Sequence, residues 1–96
     1  MAFDQMKMLA KLQKAQKELK KEIVEVDAGE GAVIVQINGE LKVQSIKIDP
    51  SRVDLEDIEE LEGWIQAAIR DGMAKAQEIA AEKMKPLMGG LGNLGL

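Results

Sequence analysis

Apolar and polar positions alternate most regularly between Ala32 and Ile48, AVIVQINGELKVQSIKI, where Val33, Val35 and Ile37 recur at the period of a strand. Asn38-Gly39 follows, and Leu41 and Val43 continue the apolar face, so the stretch predicts a β-hairpin. A two-residue turn at Asn38-Gly39 would set Ile37 against Glu40 and Val35 against Lys42, apolar against charged. A three-residue loop of Asn38, Gly39 and Glu40 instead sets Ile37 against Leu41 and Val35 against Val43, which keeps one face apolar. After Val43 the apolar phase moves to Ile46 and Ile48, which predicts a bulge near Gln44-Ser45.

On either side of the hairpin the period changes to that of a helix. From Phe3 to about Glu22, Leu9, Leu12 and Leu19, continued by Ile23 and Val26, follow a three-four spacing in which Gln16 fills one step. The β-branched Ile23, Val24 and Val26 precede Ala28-Gly29-Glu30-Gly31, so a short strand near Val24 and a glycine turn are expected to lead into the hairpin. Asp49-Pro50-Ser51 ends the sheet, and Ser51 or Asp54 can cap the helix that follows. From Asp54 to about Leu87, Ile58, Leu61, Ile65, Ile69, Met73, Ala76, Ala80, Met84 and Leu87 mark one long helix, with Gly72 as a bend or a close contact.

Such a helix is about 50 Å long, whereas a compact domain of this size has a radius of gyration of about 12 Å. It has to project, and its apolar stripe needs a partner, for which a second copy of the chain is the natural candidate. The order of elements predicts an α+β fold, α-β-β-β-α, with a three-stranded antiparallel sheet flanked by two long helices. Residues 1–88 form the single domain of this reading, and the glycine-rich, uncharged stretch 89–96 is a flexible tail.

Composition narrows the chemistry. The 96 residues include no cysteine, histidine, threonine or tyrosine, and Ser45 and Ser51 are the only hydroxyl side chains. This is a poor inventory for acid-base or nucleophilic catalysis, and it argues against an enzyme. No export signal is visible and the longest purely apolar run, Ala32 to Val35, cannot span a bilayer, so a cytoplasmic protein without membrane contact is expected. Among the methionines, Met73 and Met84 fall on the apolar stripe and read as core.

Charge is distributed unevenly. The net charge is −4, yet between Asp4 and Glu22 six lysines (Lys7, Lys11, Lys14, Lys17, Lys20 and Lys21) stand against Asp4, Glu18 and Glu22, a local +3. A row of lysines on a rigid helix can meet phosphates without reading sequence, although a solvated helix face has the same pattern. Few residues suit base readout, since the only arginines are Arg52 and Arg70, and no aromatic residue interleaves the lysines, so nucleic-acid binding would be mostly to duplex backbone. The acidic run Asp54, Glu56, Asp57, Glu59, Glu60 and Glu62 could hold a cation, but it chiefly complements a helix N-terminus. Gly29-Glu30-Gly31 lacks the lysine and following helix of a phosphate loop.

The lysine- and glutamine-rich first helix, then GEGAVIVQINGELKVQSIKIDPSRV, then LEDIEELEGWIQAAIRDGMAKAQEIAAEKM, resembles in order and spacing the YbaB/EbfC family of bacterial nucleoid-associated proteins. The resemblance runs from about Met6 to Met88. Its most specific pieces are Ile37-Asn38-Gly39, Ile48-Asp49-Pro50, and the helix containing Leu61, Ala67-Ala68 and Asp71 with Glu82-Lys83-Met84 beyond it. It implies a homodimer with helices projecting like the arms of tweezers, binding of double-stranded DNA by those arms, and a place in the nucleoid. It implies no enzymatic activity, cofactor, metal or small-molecule substrate. Carried onto this chain, the DNA-binding candidates are Lys7, Lys11, Lys14, Lys17, Lys20 and Lys21 in the first helix and Arg70, Lys75, Lys83 and Lys85 in the last. A second reading, from a different class, is a dimeric protein-interaction module that docks through its acidic helix face or its apolar tail.

Overall fold

The hairpin turns on one buried asparagine, Asn38. In the computed structural model, which describes residues 2–92 and the side chains of residues 4–87, the elements run α1 (Ala2–Lys21), β1 (Ile23–Ala28), β2 (Val33–Asn38), β3 (Val43–Ile48), a 3-10 turn (Pro50–Arg52) and α2 (Ile58–Gly92). The backbone N–H of Asn38 donates to the Lys42 carbonyl at 3.0 Å, and its own carbonyl accepts from Leu41 N at 3.0 Å. Its side-chain Oδ1 accepts from the N–H groups of Glu40 at 2.9 Å and Lys42 at 3.0 Å. The loop is therefore four residues, Gly39 to Lys42, and Leu41 lies in the left-handed region at φ 66°. This corrects the expected register: Ile37 pairs with Val43, not Leu41, and Val35 pairs with Ile46, not Val43. The bulge lies where the phase change put it, because Gln36 pairs with Ser45 and leaves Gln44 unpaired.

The sheet is antiparallel in the order β1-β2-β3, and the fold is α+β. Directly paired residues of antiparallel strands share a face. Val24, Val26 and Ala28 of β1, Val33, Val35 and Ile37 of β2, and Val43, Ile46 and Ile48 of β3 therefore point the same way. The opposite face carries a polar row, in which Gln36 donates to Glu25 at 3.0 Å and Ser45 donates to Gln36 at 3.1 Å.

Helix α2 lies over β1 and β2 and brings Leu61, Trp64, Ile65, Ala68, Ile69, Met73, Ala76 and Ile79 onto their apolar face. Gly72 proves to be a close contact: a Cβ there would come within 2.6 Å of Ile37 Cδ1. At the far end of the sheet Gly29, at φ 64°, makes room for the Trp64 ring, which a Cβ would approach to 2.5 Å. Cover is confined to two strands. Val33, Val35 and Ile37 are 0% exposed, whereas Val43, Ile46 and Ile48 on the same face are 41%, 44% and 44% exposed.

Helix boundaries and seams differ from the periodic reading. The last helix starts at Ile58 rather than Asp54, because Asp54 to Asp57 close a turn of their own. Asp57 is its cap, accepting from Glu60 N at 3.2 Å, while Ser51 is held in the 3-10 turn by Asp49. The helix also continues through Pro86 to Gly92; residues 93–96, the end of the expected flexible tail, lie outside the described residues. The short strand expected near Val24 spans six residues, so Ile23 and Val26 belong to the sheet and not to a helical stripe. In α1 the seam is Met8, Leu12, Ala15 and Leu19; Leu9 is 56% exposed and Gln16 is exposed. Ala15 takes the place expected for Gln16, and it is buried.

The long helix projects as expected. The described chain measures 63 × 23 × 15 Å with a radius of gyration of 18.4 Å, against about 12 Å for a compact domain of this length.

Candidate nucleic-acid interface

All six α1 lysines are exposed. At about 100° per residue they spread over roughly half the circumference of the helix, so they form two flanks rather than a single line. On one flank Lys7 and Lys11 face Pro86 and Leu87 of α2 across an open groove that also contains Asp4 and Met8. Lys11 and Lys14 line a neighbouring groove with Glu18, Lys83, Pro86 and Leu87. On the other flank Lys17 and Lys20 face the β2–β3 loop. Lys21 is exposed outside these grooves.

The α2 candidates behave differently from one another. Arg70, Lys75 and Lys85 are exposed. Lys83 is half-buried and spans the two helices, with its Nζ 3.0 Å from Glu18 Oε2 and 3.9 Å from Glu22 Oε1. Its hydrogen bond and charge hold the Glu18 carboxyl below the usual carboxylate range, and the same bond to Glu18 raises the Lys83 ammonium. Lys83 thus fastens α1 to α2, leaving the α1 lysines as the larger set of unpaired cations.

Lys42 escaped the sequence reading. It lies 22 residues beyond Lys20 in the chain, yet it lines the groove of Lys17 and Lys20 because the hairpin loop docks on the end of α1. Gly39 N donates to the carbonyls of Leu19 at 2.8 Å and Glu22 at 3.0 Å, and Asn38 Nδ2 reaches the Lys20 carbonyl at 3.5 Å. A Cβ on Gly39 would sit 2.7 Å from the Leu19 oxygen. Asn38-Gly39, which reads as a turn signal, is thus also the C-terminal cap of α1. Nothing local in the sequence points to that contact.

The acidic run lies at the other end of the sheet. Arg52, just before it, donates to the Glu30 carbonyl at 3.1 Å and pairs with Asp49 at 3.4 Å, tying this segment to the β1–β2 turn. Hydrogen bonds from the Ser51 hydroxyl and backbone N–H lower the Asp49 carboxyl. Among the described residues no group of three or more carboxylates is placed to hold a metal ion, and no helix is long and apolar enough to cross a membrane. Glu59 and Glu60 occupy the first turn of α2, beside the Asp57 cap. The molecule therefore has a cationic arm and an anionic opposite end.

Comparison with known proteins bears on the family and the fold. The profile of the YbaB/EbfC DNA-binding family matches residues 2–91. A nucleoid-associated protein of Chloroflexus aurantiacus is 48% identical over 87 residues, covering 91% of this chain and 87% of its own length. Another, from Dictyoglomus thermophilum, is 42% identical over 93 residues, covering 93% of this chain and 89% of that protein. The fold is shared with an uncharacterized protein of Helicobacter pylori whose crystal structure superposes with a TM-score of 0.81 at 23% identity, covering 91% of each chain.

Proposed function

Since the chain belongs to the YbaB/EbfC DNA-binding family, we propose that it is a nucleoid-associated protein that binds duplex DNA as a homodimer, mainly through backbone phosphates. It acts in the cytoplasm at the nucleoid, in organising DNA or regulating genes, and by binding rather than catalysis. The observation that carries this reading is the exposure of six lysines on α1, a helix of net charge +4 in a chain of net charge −4. Lysines without interleaved aromatics favour phosphate contacts over base readout. Arg70, Lys75 and Lys85 on α2 are secondary contacts.

The homodimer is supported by the uncovered third strand of the sheet. Val43, Ile46 and Ile48 present a continuous apolar strip on an edge strand, and full burial of such side chains is worth about 1.5–3 kcal/mol each. A second copy is the cover we assign to it.

The test is binding to unrelated duplexes across a salt series. Wild type should bind them alike, with affinity falling steeply as salt rises. Replacing Lys7, Lys14 and Lys21 with glutamine leaves the seam at Leu12, Ala15 and Leu19 intact and should reduce the salt slope by about 0.9 for each phosphate contact removed. A folded triple variant with unchanged affinity and slope would reduce these three lysines to a solvated face.

A further inference from the structure

Where the β2–β3 loop meets α1, the chain forms an open groove of about 280 Å³ lined by Gln13, Gln16, Lys17, Lys20, Glu40 and Lys42. Its first wall is one face of α1, since Gln13 and Lys17, and likewise Gln16 and Lys20, stand four residues apart. Its second wall is the loop, contributing Glu40 and Lys42. Three lysines and two glutamines thus line the groove against one glutamate.

The two walls are fixed to each other through backbone. Gly39 N holds the Leu19 and Glu22 carbonyls at 2.8 and 3.0 Å, and a side chain at Gly39 would collide with the Leu19 oxygen. The backbones of the two walls are therefore held together before any ligand arrives, which lowers the entropic cost of binding between them. The same bonds occupy carbonyls at the C-terminus of α1, where the negative end of the helix dipole would otherwise oppose an anion. The groove is therefore suited to a negatively charged ligand at a helix end that normally repels one.

Lysine heads are point charges without preferred planes, and the glutamine amides carry N–H groups that can donate to phosphate oxygens. With no arginine fork and no aromatic platform in the groove, this set fits phosphate oxygens rather than bases. We propose that the groove seats the phosphodiester backbone of one duplex strand, with Lys42 contacting it from the loop opposite Lys17 and Lys20, and Gln13 and Gln16 donating to phosphate oxygens. This inference rests on the DNA-binding reading above and adds where the DNA crosses: over the joint between arm and sheet.

The experiment compares wild type, Lys42→Gln, Lys47→Gln and Glu40→Gln on one random duplex across a salt series, with each variant's fold checked by circular dichroism. Lys42 is exposed and only its backbone groups bond Asn38, so the variant should fold. Lys42→Gln should lower the salt slope by about 0.9 for each copy that touches the duplex. Lys47 carries the same charge but pairs with Ile34 on the other face of the sheet, outside the groove, so Lys47→Gln should leave the slope unchanged. Glu40→Gln removes the one carboxylate of the groove and should raise affinity several-fold. An unchanged slope in Lys42→Gln, an equal loss in Lys47→Gln, or no gain in Glu40→Gln, with wild type binding normally, overturns the groove and leaves the DNA-binding reading standing. A wild-type chain that binds no duplex overturns both.

Discussion

Strands β2 and β3 lie side by side with the same kind of side chain facing the same way, yet they differ completely in burial. Val33, Val35 and Ile37 are sealed under α2, while Val43, Ile46 and Ile48 stay 41–44% exposed. The cause lies in the path of α2, which crosses β1 and β2 and then runs off the sheet beside α1. An apolar face thus has two meanings in one sheet: core where the chain supplies its own cover, and, on β3, the exposed strip to which the proposed dimer interface is assigned.

The largest expected effect separates these meanings. Val35→Asp would place a carboxylate in a fully enclosed position with no partner, at a cost of roughly 4 kcal/mol, and should unfold the chain. Ile46→Asp, directly opposite on β3, leaves its charge partly in water and should cost the protomer only about 1 kcal/mol while abolishing the proposed dimer. Thermal melts with sedimentation at equal concentration check both. Equal unfolding by the two variants would erase the distinction between the strands.

A smaller effect tests the loop that joins these strands. Gly39→Ala should destabilise by about 1–3 kcal/mol, because the new Cβ meets the backbone oxygen of Leu19 and not a side chain that can turn away. Gly63→Ala, on an exposed stretch of α2 with nothing within 4 Å of the added carbon, should stabilise by about 0.5–1 kcal/mol. Urea titration of the two variants gives the signs.

This contrast also explains what was legible in the sequence. Alternation at Val33, Val35 and Ile37 and the phase change at Gln44 identify the strands and the bulge, because side-chain period and strand twist are local properties. The hairpin register was not legible, since it depends on Asn38 bonding Glu40 and Lys42 while the same residue and Gly39 cap α1. The seam of α1 differs from the periodic reading at Leu9 and Gln16, because which stripe of an amphipathic helix is covered depends on where α2 lies, and that is not a local property. Of the candidate interface, the α1 lysines are visible as a charge pattern. Lys42 joins them only through tertiary docking, and Lys83 is distinguished from its neighbours only by the two glutamates it meets.

The arm is a third case, between covered and uncovered, and it gives the smallest expected effect. Among the described residues of α1 only Ala15 and Leu19 are buried, and Lys83 with Glu18 and Glu22 closes the contact from its rim. An exposed ion pair is screened by water and salt, so it tunes the arm without holding the fold. Glu18 has a lowered pKa, so its contribution is present above the ordinary carboxylate value of 4.5 and is lost as pH falls through its lower, folded value. Lys83 has a raised pKa, so its contribution is present below 10.5 and is lost only as pH rises through its higher, folded value. Between these limits the arm should keep constant protection, and acidification should loosen α1 before β2. Hydrogen exchange, corrected for intrinsic rates, would follow Ala15 to Leu19 against Val33 to Ile37 from about pH 6 to about pH 3. In Glu18→Gln the acid-dependent loss in α1 should shrink while β2 is unaffected. If wild type and Glu18→Gln lose α1 protection in parallel, packing at Ala15 and Leu19 fastens the arm by itself, and the arm then belongs with the covered strand and not between the two.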